Sequence, residues 1–393
     1  MRSGWKRHRL GDVFTTQTGM TPPKSQQELY GDCVPLVKPP ELQDAWLNSA
    51  EDGLSESGAI LARVLPLRSI LVSCIGNLGK VGINVIPVAF NQQINAILPN
   101  EQAAIPEFMF YQALSCGFKE QLEASATGTT ISIVNKSKFN DIEVVLPSLS
   151  DQQEIVTKLD EAFECIAVAN ANAEKNLQNA RALFDSHLQS IFTRRGAGWK
   201  EKTLEEVAIT FGRGKSKHRP RNAPHLYGGK YPFVQTGDIR NADHIITGYS
   251  QTYSSAGLAQ SRLWPKGTIC ITIAANIAET AILGFDACFP DSIIGVVADP
   301  KQAEIGFIEY LLQSFKVRIQ AMGKGSAQDN INLGTFENEK FPFPSVAEQK
   351  QIVTKLDDLR DETRHLESVY EQKLTALDEL KKSLLHQAFT GKL

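Results

Sequence analysis

Six cysteines (Cys33, Cys74, Cys116, Cys165, Cys270, Cys288) among 393 residues form no C-x-x-C pair, and seven histidines form no His-x-x-x-His or Cys-His grouping. Neither a zinc site nor a disulfide framework therefore has a basis in the sequence, and a reducing cytoplasm is the expected compartment. No run of about 18 apolar residues occurs. The basic start (Arg2, Lys6, Arg7, Arg9) is followed by no apolar stretch, so neither a membrane span nor a secretory signal is expected. Positive charge is not in excess either: the net charge is -3 and the pI is near 6.2. That is awkward for a nucleic-acid binder, whose non-specific affinity comes from Lys and Arg neutralising phosphates.

Catalytic signatures are equally scarce. Gly212-Arg213-Gly214-Lys215-Ser216 looks like a phosphate loop, but that motif needs a glycine where Ile209 stands. Pro290-Asp291 looks like the first carboxylate of a metal nuclease, yet the downstream Glu348 and Lys350 lie far off in a helical stretch. Val37-Lys38-Pro39-Pro40-Glu41 lacks both the leading amide or carboxylate and the trailing aromatic of an adenine methyltransferase motif. No Gly-x-Ser-x-Gly elbow exists. The chain reads as non-catalytic.

What the sequence does contain is itself, twice. Ile155-Val156-Thr157-Lys158-Leu159-Asp160 recurs letter for letter as Ile352-Val353-Thr354-Lys355-Leu356-Asp357, and at the same spacing Pro147-Ser148, Gln152 and Phe192-Thr193 recur as Pro344-Ser345, Gln349 and Phe389-Thr390. Upstream the match is looser: Trp5-Lys6 pairs with Trp199-Lys200, and Phe108 and Tyr111 pair with Phe307 and Tyr310. Four segments follow: a module over 1–150, a helix and linker over 151–198, a second module over 199–346 and a second helix over 347–393. Within the modules 12 cations face 14 anions in the first and 16 face 14 in the second, so a basic partner would have to help if DNA is bound.

Apolar residues at three- and four-residue steps, from Ile155 through Leu159, Phe163, Ile166, Ala173 and Leu177 to Ile191, predict an amphipathic helix, and Ile352, Leu356, Leu359, Leu366, Leu377, Leu380 and Leu384 predict its copy. Ser148 with Asp151 and Ser345 with Glu348 give capping-box starts, and Gly196 and Gly391 follow the ends. Helices of about 40 residues are roughly 60 Å long. Each has one apolar stripe and needs a partner, so they are expected to pair as an antiparallel coiled coil. The fold class is α+β, with two mixed α/β modules joined by the two long helices in a pseudo-two-fold repeat. Strands are expected over 69–75, 268–273 and 293–297, and helices near 106–121 and 306–321.

Long loops at 18–30 and 212–229 are candidate contact surfaces. Arg213, Lys215, Lys217, His218, Arg219 and Arg221 form a basic, proline-bounded set suited to phosphate or groove contacts. The first module offers Lys24, Lys38 and Lys80, with Asn77, Gln92 and Gln93 supplying amides that can pair with adenine edges.

Pro147, Gln152, Ile155-Val156 and Lys158-Leu159-Asp160 opening a long helix, and Leu384-Leu385-His386-Gln387-Ala388-Phe389-Thr390-Gly391-Lys392-Leu393 closing one, resemble type I restriction-modification specificity subunits. Gly19, Thr21-Pro22, Tyr30-Gly31, Pro35 and Val37-Lys38, with Tyr231-Pro232, Val234-Gln235 and Gly237-Asp238, are similar to that family's recognition-domain pattern. The resemblance implies two target recognition domains, each reading one half of a split, asymmetric site in double-stranded DNA, with the helices fixing the spacing. It also implies docking of two DNA-adenine methyltransferase subunits, for which Gln152, Ile155, Leu159, Gln349, Ile352 and Leu356 are the candidate contacts. A third subunit type, up to two copies, would bring ATP-driven translocation and cleavage. S-adenosylmethionine, ATP and Mg belong on those partners in this reading, and none on this chain. The rival class is a protein-interaction scaffold that does not bind DNA.

Overall fold

The computed structural model describes residues 5–128, 130–218, 220–274, 276–323 and 331–393. The chain divides into two compact units, Met1–Glu174 with Glu371–Leu393, and Lys175–Tyr370. Two helices of 45 residues, Leu149–Thr193 and Val346–Thr390, run through both units, so each unit holds one module, part of one helix and the opposite end of the other. This partition cuts through the helices, whereas the sequence-based segments kept each helix whole.

At both starts the serine hydroxyl caps the helix as expected, but the acidic residue does not return the bond to the serine amide that a capping box requires. Ser148 Oγ accepts from the Asp151 amide at 3.2 Å and donates to its carboxylate at 2.9 Å. Ser345 Oγ accepts from the Glu348 amide at 3.3 Å, but the Glu348 side chain turns away to accept from Trp199 Nε1 at 3.0 Å, tying the helix to the start of the second module. The second helix ends as expected: Gly391 has φ +77°, and the Lys392 amide donates back to the Gln387 carbonyl at 2.9 Å, a Schellman closure. The first does not end on Gly196. It stops at Thr193, and the positive-φ glycine that follows, Gly198 at +105°, lies in the turn before the strand Lys200–Lys202.

The apolar stripes pair in opposite directions. In the first unit Leu385 and Ala388 are buried with Ile155, Val156 and Leu159, and Lys381 lies over the Phe163 ring at 5.3 Å. In the second, Leu188 and Phe192 share a core with Leu356, and Arg181 Nε donates to Glu367 at 3.1 Å. Numbers rise along one helix as they fall along the other, so the packing is antiparallel. Leu159 and Leu356 are both fully buried, worth about 1.5–3 kcal/mol each against exposure.

Each module is built on a five-stranded sheet with the same order. In the first it runs Thr16–Thr18, Ile94–Ile97, Ile70–Ser73, Val81–Asn84, Ala45–Leu47; in the second Ala208–Arg213, Ile293–Ala298, Ile269–Thr272, Thr280–Leu283, Ile245–Ile246. The last strand of each is parallel to its neighbour and the other neighbours are antiparallel. Continuous apolar runs, rather than alternating ones, arise because both faces are covered. Ile269, Ile271 and Ile273 point into the core that includes the helix Ile305–Ser314, while Cys270 between them joins a second core with Trp264 and Phe289. Ile70 and Val72 against Leu71 repeat the pattern in the first module. The helices expected near 106–121 and 306–321 are each two pieces, Pro106–Leu114 with Cys116–Ala124 and Ile305–Ser314 with Lys316–Gly323. Among the described residues, no helix is long and apolar enough to cross a membrane.

Candidate nucleic-acid interface

One end of each five-stranded sheet gathers the loops singled out in the sequence, and a shared set of bonds holds them. The Gly19 amide donates to the Ile94 carbonyl at 3.1 Å, and the Gly214 amide donates to that of Ile293 at 2.9 Å. A Cβ at Gly19 would lie 2.0 Å from the Asn91 carbonyl oxygen, and one at Gly214 would lie 2.3 Å from those of Phe289 and Pro290. Glycine is required at both positions because two backbones touch there. Beyond them each loop is tied back by a tyrosine: Tyr30 Oη donates to the Pro22 carbonyl at 2.6 Å and Tyr227 Oη to that of Arg221 at 2.8 Å.

Neighbouring turns are matched as closely. Ser73 Oγ donates to the Asn77 carbonyl and accepts from the Lys80 amide; Thr272 Oγ1 does the same with Asn276 and Glu279. The Cys74 amide donates to the Gln93 carbonyl at 2.8 Å, and the Ile273 amide to that of Ser292 at 3.0 Å. Scaffold bonds are thus the same in the two copies. The loop tips are not: the first carries Lys24 alone among its leading residues, and the second carries Arg213, Lys215, Lys217, Arg219 and Arg221.

Of the expected contact residues, Lys24, Asn77, Gln92, Arg213, Lys215, Lys217 and Arg221 are exposed, and Lys80 and His218 partly so. Arg219 lies outside the described residues. Lys38 is committed elsewhere: its ammonium is ion-paired with Asp52, and that hydrogen bond raises its pKa above the usual lysine value. Gln93 is half-buried and its Oε1 accepts from Asn91 Nδ2 at 3.0 Å, so it shapes the turn. In the basic loop, Arg221 Nη2 donates to both Asp291 oxygens at 2.9 Å, while Arg213 Nε donates to the Asp291 backbone carbonyl at 2.7 Å. The His218 amide donates to Gln260 at 3.0 Å, and its ring meets His225 edge-on at 5.1 Å.

The six residues expected to touch partner subunits face inward. Gln152 is fully buried; it accepts from the Ile105 amide at 2.9 Å and donates to the Ala103 and Pro147 carbonyls at 3.2 and 3.0 Å. Gln349 makes the same three bonds, with the Glu304 amide and the Gln302 and Pro344 carbonyls at 2.8, 3.2 and 3.0 Å. Ile155, Leu159 and Leu356 are buried and Ile352 packs against the same core as Leu356. The letter-for-letter repetition of this segment therefore fastens each helix to its own module, and a docking protein would meet outward positions instead. Sequence reasoning missed Tyr30, Tyr227 and Asp291 as loop supports. Tyr30-Gly31 and Tyr227-Gly228 at the repeat spacing were the available signal. Among the described residues, no group of three or more His, Cys, Asp or Glu side chains is placed to hold a metal ion.

Comparison with known proteins agrees with this geometry. A family model described as the type I restriction modification DNA specificity domain matches residues 2–178 and 197–376, one match per repeat. The HindI specificity subunit of Haemophilus influenzae is 33% identical over 184 residues, 46% of this chain and 40% of that protein, so this alignment spans less than half of the relative. The StySPI specificity subunit of Salmonella potsdam is 19% identical over 99% of this chain and 89% of its own length. The fold is shared with a chain from a structure of type I restriction-modification complex assembly (TM-score 0.81, 20% identity, 100% of this chain and 99% of that one). It is shared also with the HsdS subunit of Thermoanaerobacter tengcongensis (TM-score 0.68, 19% identity, 100% and 98%). With both copies of the repeat matched by one family model, the chain belongs to the type I restriction-modification DNA specificity family.

Proposed function

We propose that each module reads one half of a bipartite, asymmetric site in double-stranded DNA, and that the paired helices fix the distance between the halves. The observation that carries this reading is the contrast at the sheet ends: the glycine, tyrosine and Ser/Thr bonds that hold the loops are the same in both copies, while the residues at the tips differ in charge and shape. Two copies of one scaffold with different tips suit two different half-sites, since base edges are read by side chains and phosphate contacts set register. A helix of 45 residues is about 68 Å long, enough to separate two reading heads by one to two turns of B-DNA at roughly 34 Å per turn.

The chain is non-catalytic in this reading. Two DNA-adenine methyltransferase subunits, one per pseudo-symmetric half, dock on it and supply S-adenosylmethionine and N6 transfer. Restriction subunits, where they join, bring ATP, Mg, translocation and cleavage. The cations that a chain of net charge -3 lacks come from those partners closing around the duplex. Replacing residues 1–150 by the module of another family member tests the division of labour. One half of the methylated motif should change and the other stay; a motif retained in both halves would contradict it.

A further inference from the structure

Asp291 sits opposite Gln92 in the repeat, since Phe289-Pro290-Asp291-Ser292-Ile293 follows Phe90-Asn91-Gln92-Gln93-Ile94 and both stretches take the same bonds from Gly214 and Gly19. The two copies differ in charge together. Where the loop carries Lys24 alone, the facing residue is a neutral, exposed amide; where it carries five cations, the facing residue is a carboxylate. That carboxylate chelates Arg221 through Nη2 at 2.9 Å to each oxygen, and its backbone carbonyl holds Arg213. The close approach of Gly214 to the Phe289 and Pro290 carbonyls keeps the loop against this segment. Asp291 is about one-third exposed and Arg221 about half exposed, so the pair is reachable from solvent.

We propose that Asp291 is a specificity-determining residue of the second module: it occupies Arg221 as a phosphate would, and so suppresses attachment of the basic loop to DNA that lacks the correct half-site. Carboxylate and phosphate compete for the same guanidinium donors. On arbitrary duplex the phosphate must displace, or share Arg221 with, a resident anion that also repels it, and little affinity results. On the correct half-site, base contacts elsewhere in the module offset that cost. Discrimination then comes partly from a penalty on wrong sequences rather than from added attraction to the right one.

The inference rests on the DNA-reading function proposed above, and its test uses the complex of the full chain with its methyltransferase subunits. Binding is measured against salt concentration for a duplex carrying the methylated motif and for one without it. Asp291→Asn keeps an acceptor for Arg221 and removes the charge. It should strengthen binding to the motif-free duplex, steepen the slope of log K against log salt by about 0.9 for each further phosphate neutralised, and narrow the ratio between the two duplexes. Arg221→Gln in the Asp291→Asn background should return the slope toward that of the unmodified complex. An unchanged slope and an unchanged ratio in a normally folded Asp291→Asn complex would overturn the inference alone, leaving Asp291 as a loop anchor. Failure of the unmodified complex to prefer any duplex would overturn the DNA reading and this inference with it.

Discussion

Tyr310, on the helix of the second module, donates its phenol to Asp357 Oδ1 on the long helix at 2.5 Å, and Arg360 Nη2 reaches the same oxygen at 2.7 Å. Tyr111 and Asp160 form the equivalent bond in the first module. Both phenols come from the helix that backs the sheet, so each bond fixes a module to the long helix that follows it in sequence. Tyr310→Phe should lower the unfolding free energy by about 1.5–3 kcal/mol, the range for a hydrogen bond to a charged group. Denaturant unfolding checks it, and a variant as stable as the parent would deny the bond any structural weight.

Burial first, and the neighbouring carboxylates second, push the Tyr111 and Tyr310 phenols above the usual tyrosine value; burial does the same for Tyr253. A group whose folded pKa lies above its unfolded value contributes stability that is full below about pH 10 and is lost as pH rises through the folded value. Three of the eight tyrosines should therefore lag in a phenolate absorbance titration. Their ionisation should coincide with loss of structure at alkaline pH. Eight tyrosines titrating together near pH 10 in the folded chain would contradict this.

Thiol reactivity should divide the six cysteines evenly. Cys33, Cys116 and Cys165 are exposed; Cys74, Cys270 and Cys288 are buried. Burial raises the Cys74 thiol to about 12 and the Cys270 and Cys288 thiols above their usual value. Thiolate is the nucleophile, so a disulfide reagent near pH 8 should label three residues quickly and three only after unfolding, read by mass spectrometry.

Gly19→Ala and Gly214→Ala each place a methyl group against backbone oxygens of the facing segment, which must shift to make room. Each should displace one loop only. In the assembled methyltransferase, Gly19→Ala should weaken selection of one half of the motif and Gly214→Ala selection of the other, read from the methylated sequences. Loss of the same half in both variants would show that the loops do not read separate halves.

The parts of this fold that were legible in the sequence are those set by local periodicity and by the repeat. Three- and four-residue apolar steps gave both long helices, and Ser148, Ser345 and Gly391 gave three of their four termini. Gly196 misled because the first helix already stops at Thr193, three residues short of it, and the positive-φ glycine that follows, Gly198, belongs to the turn before the strand Lys200–Lys202. The letter-for-letter repeat at Ile155–Asp160 pointed to a common job, but the partner of that job was hidden. Gln152 and Gln349 are polar letters on a helix, and only the tertiary structure shows them satisfying buried backbone groups of their own module. Lys38 and Asp291 were obscured for a related reason. Whether a cation is available to DNA depends on which acid the fold brings beside it, and Asp52 and Asp291 are 14 and 70 residues away in sequence from Lys38 and Arg221.

The most direct test of the DNA-reading role is the N6-methyladenine map of a host expressing this chain with the adenine methyltransferase subunit proposed to dock on it, compared with the same host lacking this chain. A split motif, two short sequences separated by a fixed gap, should appear only when the chain is present. A methylation map indifferent to the chain would contradict that role.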